Sequence, residues 1–265
     1  MPADEPSHIW YHTIDFPDGT TTPGWYDNRV APQYVVWPEV LRRGRCLDVG
    51  TFDGFWAFEM ERRGASEVIA LDVDDPSALD WSYDERQHGP DAVREWKTER
   101  GPGFTEAARA LGSHAKRVNR SVYDLNPAVD GMFDVVLCGS LLLHLRDPVR
   151  ALEQMREVCR GELILVETLD PFLDVVARRV PAAHFAPDWD QWWRVNAAGL
   201  RRMIEVSGFE VTWSGRRFLV PFGPGAPTEL RFGRMNSLAA LTPRARGQLH
   251  LALGARPRTP HPRRG

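Results

Sequence analysis

From Arg45 onward, short β-like apolar runs alternate with stretches whose apolar residues return every three or four positions. That alternation is the mark of an α/β fold, a mostly parallel sheet with helices packed on both faces. It predicts strands at Arg45–Gly50, Glu67–Val73, Lys116–Tyr123, Phe133–Gly139, Glu162–Thr168 and Phe209–Ser214, with a last β-like run, Glu229–Met235, closing the sheet. Helices are expected at Gly54–Arg63, Phe104–Leu111, Asp147–Cys159 and Ala197–Ser207. Several limits have local causes. Asp147-Pro148 supplies an N-cap followed by proline at the first helical position, where no N–H is needed. Gly161 and Gly208 are expected to end the last two helices, where glycine adopts a left-handed conformation at least cost. The stretch Asp75–Gly103 lacks periodicity and holds Pro76, Gly89, Pro90 and Pro102, so it reads as an insertion after the second strand.

With 265 residues, 43% of them hydrophobic, the chain can bury one substantial core. The expected organisation is an N-terminal aromatic segment over residues 1–44, the α/β domain over 45–241 and an Arg/Pro-rich tail over 242–265. The last dozen residues of that tail read as disordered, because they are rich in proline and arginine and hold no acid. Apolar runs such as Leu163-Ile164-Leu165-Val166 are too short to span a bilayer, and Met1-Pro2-Ala3-Asp4-Glu5 lacks the blocks of a signal peptide. A soluble, cytoplasmic protein is expected. Cys46, Cys138 and Cys159 sit in apolar segments without C-x-x-C or C-x-x-H spacing, which favours buried thiols over a disulfide or zinc site. A net charge of -3 and a pI near 6.3 give no global attraction to nucleic acid or membrane.

Candidate chemistry concentrates where the first strand breaks into a glycine turn, Asp48-Val49-Gly50-Thr51-Phe52-Asp53-Gly54. Gly50 permits a sharp turn and close approach to a ligand, and Gly54 lets a helix begin tight against it. Asp72 ends the next strand at roughly the ~20-residue offset where an acid grips ribose hydroxyls. A dinucleotide reading is weighed against this: a pyrophosphate usually needs G-x-G-x-x-G, and here Phe52 replaces the central glycine. Carboxylates at Asp48 and Asp53 would repel a pyrophosphate but suit the cationic amino-acid end of S-adenosylmethionine (SAM).

The pattern from Asp48-x-Gly50 to Asp72 resembles the first two motifs of class I SAM-dependent methyltransferases. More narrowly, Tyr11-His12-Thr13-Ile14-Asp15-Phe16-Pro17-Asp18-Gly19, the cradle itself and Leu143-His144-Leu145-Arg146-Asp147-Pro148 resemble the group related to the tRNA wobble-uridine carboxymethyltransferase. The resemblance implies a Rossmann-like, seven-stranded, mostly parallel sheet whose final antiparallel strand falls at Glu229–Met235. It also implies cofactor contacts from Gly50, Thr51, Phe52 and Asp72, adenine contacts around Ser121, Val122 and Tyr123, and contacts to the methionine part from Cys138 and Gly139. No metal is expected.

Acceptor-side groups should lie at the carboxyl ends of the strands, where open α/β sheets bind ligands. His144 fits a general base, or equally a hydrogen-bonded residue bracing its loop. Glu167, ending the fifth strand, could orient an acceptor or cap a neighbouring loop. The block Trp10-Tyr11-His12 through Trp25 reads as a lid, which makes His12 a second base, or as a hydrophobic clasp on the outside of the sheet. Trp189, Trp192, Trp193 and Asn196, in an insertion after the fifth strand, suggest either a wall for an aromatic acceptor or ordinary packing.

The leading functional expectation is methylation of a small molecule at oxygen, nitrogen or carbon, and the runner-up is modification of a tRNA wobble uridine. Against the latter, Leu143 stands where the related enzymes carry tyrosine, and their extra basic N-terminal region is not seen. A non-catalytic SAM-binding scaffold is a third class.

Overall fold

The computed structural model describes residues 8–87, 101–188, 191–227 and 247–259. Strands β1 (Arg45–Val49), β2 (Glu67–Asp72), β3 (Lys116–Asn119), β4 (Phe133–Gly139) and β5 (Cys159–Thr168) are parallel neighbours in one sheet. A small antiparallel hairpin, β6 (Ala183–Asp188) and β7 (Gln191–Val195), forms the insertion after β5. The chain then returns to the sheet with β8 (Phe209–Ser214), β9 (Phe218–Pro221) and β10 (Gly247–Pro257). The order is β3-β2-β1-β4-β5-β10-β8, with β9 also paired to β10. Because β9 pairs with the first half of β10 and β8 with the second, the 8-stranded sheet has the seven positions expected. Strand order reverses between β1 and β4, which opens the crevice at their carboxyl ends.

Successive side chains of a strand point to opposite faces, and both faces here are covered. On one, Leu47, Val136, Leu163 and Leu253 meet Leu152 and Met155 of the helix Pro148–Val158, and Leu200 and Ile204 of the helix Ala197–Val206. On the other, Cys46, Val135, Ile164 and Ala252 meet Trp56 and Met60 of the helix Phe55–Arg62, and Ala107 of the helix Pro102–Leu111. All three cysteines are buried and free. The N-terminal segment shares the second core, with Trp10, Ile14, Tyr26 and Leu41 each no more than 6% exposed.

Three expectations require correction. The antiparallel strand is Gly247–Pro257, inside the segment read as a tail, while Glu229–Met235 lies outside the described residues. Arginine and proline flank this run, but Leu249, Leu251, Ala252, Leu253 and Ala255 belong to the cores and their margins, as befits a strand inserted between β5 and β8. β3 stops at Asn119; Ser121 then accepts a hydrogen bond from the Tyr123 N–H (3.3 Å) and caps a 3₁₀ turn, Val122–Asp124. Gly161 does not end a helix. The helix stops at Val158 and Gly161 sits within β5, where an added Cβ would lie 2.2 Å from the Asp134 carbonyl oxygen. Gly208 does close its helix, with φ +87°. Asp147 caps as expected, accepting the Arg150 N–H at 3.0 Å.

Candidate active site

β1 ends in a turn whose backbone is bent at Gly50 (φ +78°), Phe52 (φ +49°) and Gly54 (φ +95°). At Gly54 a side chain is excluded twice over, since its Cβ would fall 2.5 Å from the Phe58 ring. Phe52 is not glycine, so its left-handed conformation needs support. Asp72 supplies it: Oδ2 accepts the Phe52 N–H and Oδ1 the Val73 N–H, each at 2.8 Å. The Gly50 and Thr51 N–H groups donate to the Leu71 carbonyl, tying the turn to the end of β2.

This turn borders a cavity of about 220 Å³ at the crevice. Gly50, Phe52 and Asp72 form one wall, Ser121, Val122 and Tyr123 a second, and Gly139, Ser140 and His144 a third. Tyr11, His12 and Trp25 close over it from the N-terminal segment, and Pro76, Asp80 and Trp81 from the insertion after β2. That insertion is latched. Asp80 Oδ2 accepts the Tyr123 hydroxyl (2.6 Å) and the Arg146 N–H (2.7 Å), and burial together with this carboxylate pushes the Tyr123 phenol pKa up.

The N-terminal segment divides its side chains between core and cavity. Backbone bonds pair residues 10–14 with 22–26, so that Trp10, Ile14 and Tyr26 enter the core while Tyr11, His12 and Trp25 reach the cavity. Asp53 holds it in place: Oδ2 accepts the N–H groups of Tyr11 and His12, each at 2.8 Å, and Oδ1 pairs with His12 Nδ1. Asp53 is 1% exposed and does not border the cavity, so its carboxylate faces the N-terminal segment rather than a cofactor.

Other expected contact residues also stand behind the cavity wall. Asp48 is buried beneath the turn, where Oδ2 accepts the Thr51 hydroxyl at 2.7 Å and Oδ1 has no hydrogen-bond partner. Burial pushes its pKa to about 7. Cys138 is enclosed and points at Glu167, with Sγ 3.9 Å from Oε1. Glu167 Oε1 also accepts the Leu141 and Leu142 N–H groups at 3.0 and 3.1 Å, so this carboxyl secures the loop after β4. Its pKa rises to about 7 through burial, against the lowering effect of those bonds. Neither Thr51 nor Cys138 nor Glu167 lines the cavity, because each is turned into a bond with its own neighbours.

The tryptophan cluster is likewise spent on support. Trp192 Nε1 donates to the Asp80 carbonyl and Trp193 Nε1 to the Arg146 carbonyl, while the Arg146 guanidinium lies 4.8 Å over the Trp192 ring. These indoles brace the outside of the cavity's latch. Trp189 lies outside the described residues. Asn196 is fully buried, accepts the Gly199 N–H as a helix cap and donates to Ala177 and Val180 carbonyls.

The sequence does not single out Ser140 on the cavity wall, His250 behind it, 3.0 Å from the Ser140 hydroxyl, or the latch residues Asp80 and Trp81. His250 was passed over because it fell in the supposed tail. Among the described residues no group of three His, Cys, Asp or Glu is placed to hold a metal, and no helix is long and apolar enough to cross a membrane.

Comparison with known proteins agrees with this architecture. A tRNA U34 carboxymethyltransferase of Dichelobacter nodosus is 28% identical over 173 residues, covering 63% of this chain and 46% of that protein. The chain thus spans about half the length of that relative. The 1,6-didemethyltoxoflavin-N1-methyltransferase of Burkholderia thailandensis shares the fold at a TM-score of 0.51, with 15% identity over 82% of this chain and 72% of that one. So does the N-terminal domain of EvdMO1, solved in the presence of S-adenosylhomocysteine (SAH) and D-fucose, at 0.53, with 16% identity over 94% of this chain and 91% of that one. Residues 32–213, from the N-terminal segment through β8, match the family model described as a methyltransferase domain, and to that methyltransferase family the chain belongs.

Proposed function

We propose that this methyltransferase uses SAM and methylates a small molecule held in the cavity beneath Tyr11, His12 and Trp25. The observation that carries the reading is the make-up of that cavity's walls. One compartment joins the bent Gly50–Phe52 turn and Asp72 to the Ser121–Tyr123 wall, and it is covered by aromatic side chains from two separate segments. The residues fit the cofactor: Asp72 borders the space beside the turn, Val122 and Leu145 offer apolar surface for a base, and the buried Asp48 brings acidity near the turn for an ammonium group. The Burkholderia thailandensis methyltransferase of the same fold, solved with SAH bound, supports the same assignment.

When bound, SAM supplies a methyl group on a positively charged sulfur. The chain's own part is then placement and proton handling, since holding donor and acceptor in line removes much of the entropic barrier. Asp53 fixes His12 through Nδ1, which leaves Nε2 as the ring nitrogen able to take a proton from an acceptor hydroxyl or amine. His144 faces the same cavity from the loop after β4 and is the alternative base. The latch of Tyr123, Asp80 and Arg146 keeps the insertion against the opening and restricts water.

A tRNA acceptor is the second reading, favoured by the Dichelobacter relative. Single-stranded RNA requires a basic groove with stacking aromatics. The described cavity wall carries Arg120, and that guanidinium is paired with Asp130. The assay that separates the readings is calorimetry with SAH in the presence of a chelator, followed by SAM-limited turnover on hydroxyl and amine acceptors and on unmodified tRNA. Binding of SAH with turnover of small acceptors is expected. Preference for a nicotinamide dinucleotide would overturn the cofactor, and turnover confined to tRNA would overturn the acceptor.

A further inference from the structure

β10 carries a histidine into the middle of the molecule without any acid beside it. His250 is 3% exposed; it lies opposite Thr168 of β5 and Phe218 of β9, and its Nδ1 is 3.0 Å from the carbonyl oxygen of Gln248. A carbonyl only accepts, so Nδ1 bears the ring proton and Nε2 is left as an acceptor. Burial lowers the pKa of this imidazole to about 4, which keeps it neutral at physiological pH.

Two hydroxyls approach Nε2, Ser140 Oγ at 3.0 Å and Thr168 Oγ1 at 3.1 Å. Thr168 has a second acceptor, Gln248 Oε1 at 3.4 Å, and Gln248 itself is oriented by donating through Nε2 to the Tyr26 hydroxyl at 3.0 Å. Because Thr168 can turn its proton to Gln248, the Nε2 lone pair is open to Ser140. Ser140 follows β4 directly, in a left-handed conformation (φ +51°) that its N–H secures by donating to the Val166 carbonyl at 2.8 Å. A serine in that conformation is strained, and such positions gather at functional sites. With its proton turned back to His250, the Ser140 oxygen presents only lone pairs to the cavity it lines.

We propose that Ser140, its hydroxyl proton committed to His250, is the hydrogen-bond acceptor that selects and orients the still-protonated methyl acceptor as it binds, before that hydrogen passes to the base, so that the acceptor's class is a protic O–H or N–H group carried on an apolar or aromatic body. The body is inferred from the neighbouring lining, Tyr11, Trp25, Trp81 and Leu141. An acceptor lacking the donor hydrogen covers the Ser140 oxygen without pairing it, so the site discriminates against molecules in which that group has lost its last hydrogen to alkylation, an O-methylated product among them. The proposal rests on the reading of this cavity as the SAM site.

The test uses the full chain saturated with SAH and two fluorescent probes, 2-naphthol and 2-methoxynaphthalene, which differ in the donor hydrogen and a methyl group. The wild-type chain should prefer 2-naphthol by about three- to tenfold, the factor expected for one hydrogen bond. Ser140→Gly, which accepts the φ of +51° without strain, should abolish the preference, and Ser140→Ala should agree where it folds. Nitrogen-15 spectra should show His250 as the neutral Nδ1–H tautomer, with its Nε2 resonance moved by Ser140→Gly. Failure of SAH to bind would sink the cofactor reading. Retained SAH binding with equal affinity for the two probes, with no binding of either, with a preference that survives Ser140→Gly, or with an Nε2–H tautomer would overturn the role of Ser140 alone.

Discussion

Replacing Asp53 separates the two jobs of the N-terminal segment. In Asp53→Ala the N–H groups of Tyr11 and His12 and the paired nitrogen of His12 lose one common carboxylate. Each buried donor left unpaired costs about 1–3 kcal/mol, so the three together destabilise the segment by at least about 3 kcal/mol. Against this stand Trp10, Ile14 and Tyr26, whose burial holds the segment down by about 1.5–3 kcal/mol apiece. The apolar anchors win: the segment stays docked on average but opens about a hundredfold more often, since each 1.4 kcal/mol is a factor of ten. Hydrogen exchange should therefore accelerate across residues 10–26 while β1 and β4 keep their protection. Asp53→Asn is subtler. Its amide oxygen can still accept the two backbone N–H groups, but its NH₂ must then face His12 Nδ1, which forces the ring proton onto Nε2. Exchange should change little, SAH affinity should hold, and turnover should fall by about 10²–10⁴-fold if His12 is the base. Unchanged exchange in Asp53→Ala, or acceleration spread equally over the sheet, would refute the clamp; full turnover in Asp53→Asn would pass the base to His144.

Three further perturbations probe the frame. Asp72→Ala should weaken SAH binding by about 1.5–3 kcal/mol in calorimetry, because it removes a charged acceptor at the cavity and the bond that holds Phe52; unaltered affinity would place the ribose acid elsewhere. Asp48 has its pKa raised in the folded state to about 7, so the folded chain holds more protons than the unfolded one and loses stability as pH rises from about 4 to 7. Asp48→Asn should flatten that part of the melting-temperature profile, and an unchanged profile would mean that the burial of Asp48 is without cost. Gly161→Ala drives a Cβ to 2.2 Å from the Asp134 carbonyl and should lower the melting temperature by several degrees, whereas Gly64→Ala, with open space but φ +96°, should cost less.

How much of this was legible in the sequence depends on the range over which each signal acts. β4 and β8 were read to the residue, because their apolar runs are bounded by local breakers. The bent turn and Asp72 were legible for the same reason, since glycine spacing and a strand end lie within one βαβ unit. β10 was not, because a strand buried on both faces shows no alternation and its flanks carry the composition of a tail. Asp53 was identified as an acid at the right turn, but a bond to a segment 41 residues earlier leaves no periodic trace, and proximity in the chain suggested a cofactor instead. Glu167 was ambiguous for a related reason: both an acceptor-orienting carboxylate and a loop anchor sit at the end of a strand, and only the Leu141 and Leu142 N–H groups distinguish them.

The same long-range bonds explain why lid and clasp were not separate possibilities. The paired backbone of residues 10–14 and 22–26 carries Trp10, Ile14 and Tyr26 into the second core and brings Tyr11, His12 and Trp25 to the cavity, with Tyr11 and Trp25 also packed against that core. One extended strip therefore stabilises the second core with one set of residues and closes the cavity with the other. Cutting the chain before Trp25 would remove Trp10 and Ile14 from that core along with His12 from the cavity, so lost activity in such a truncation cannot be assigned to the lid. Single exchanges on the cavity side reduce this coupling, since Tyr11 and Trp25 are only partly buried against the core. Because Trp25 is half-buried against the core as well as bordering the cavity, Trp25→Ala should lower the melting temperature less than Trp10→Ala while loosening the hold on an aromatic acceptor, and an equal drop would show that Trp25 belongs to the clasp instead. The Tyr26 hydroxyl extends the link further, because through Gln248 it helps to orient the β10 network that sets the proton on Ser140. Docking of the N-terminal segment and polarity of the acceptor wall are thus joined through the side chains of Tyr26, Gln248, Thr168 and His250, and Tyr26→Phe should weaken the 2-naphthol preference without reducing the affinity for SAH.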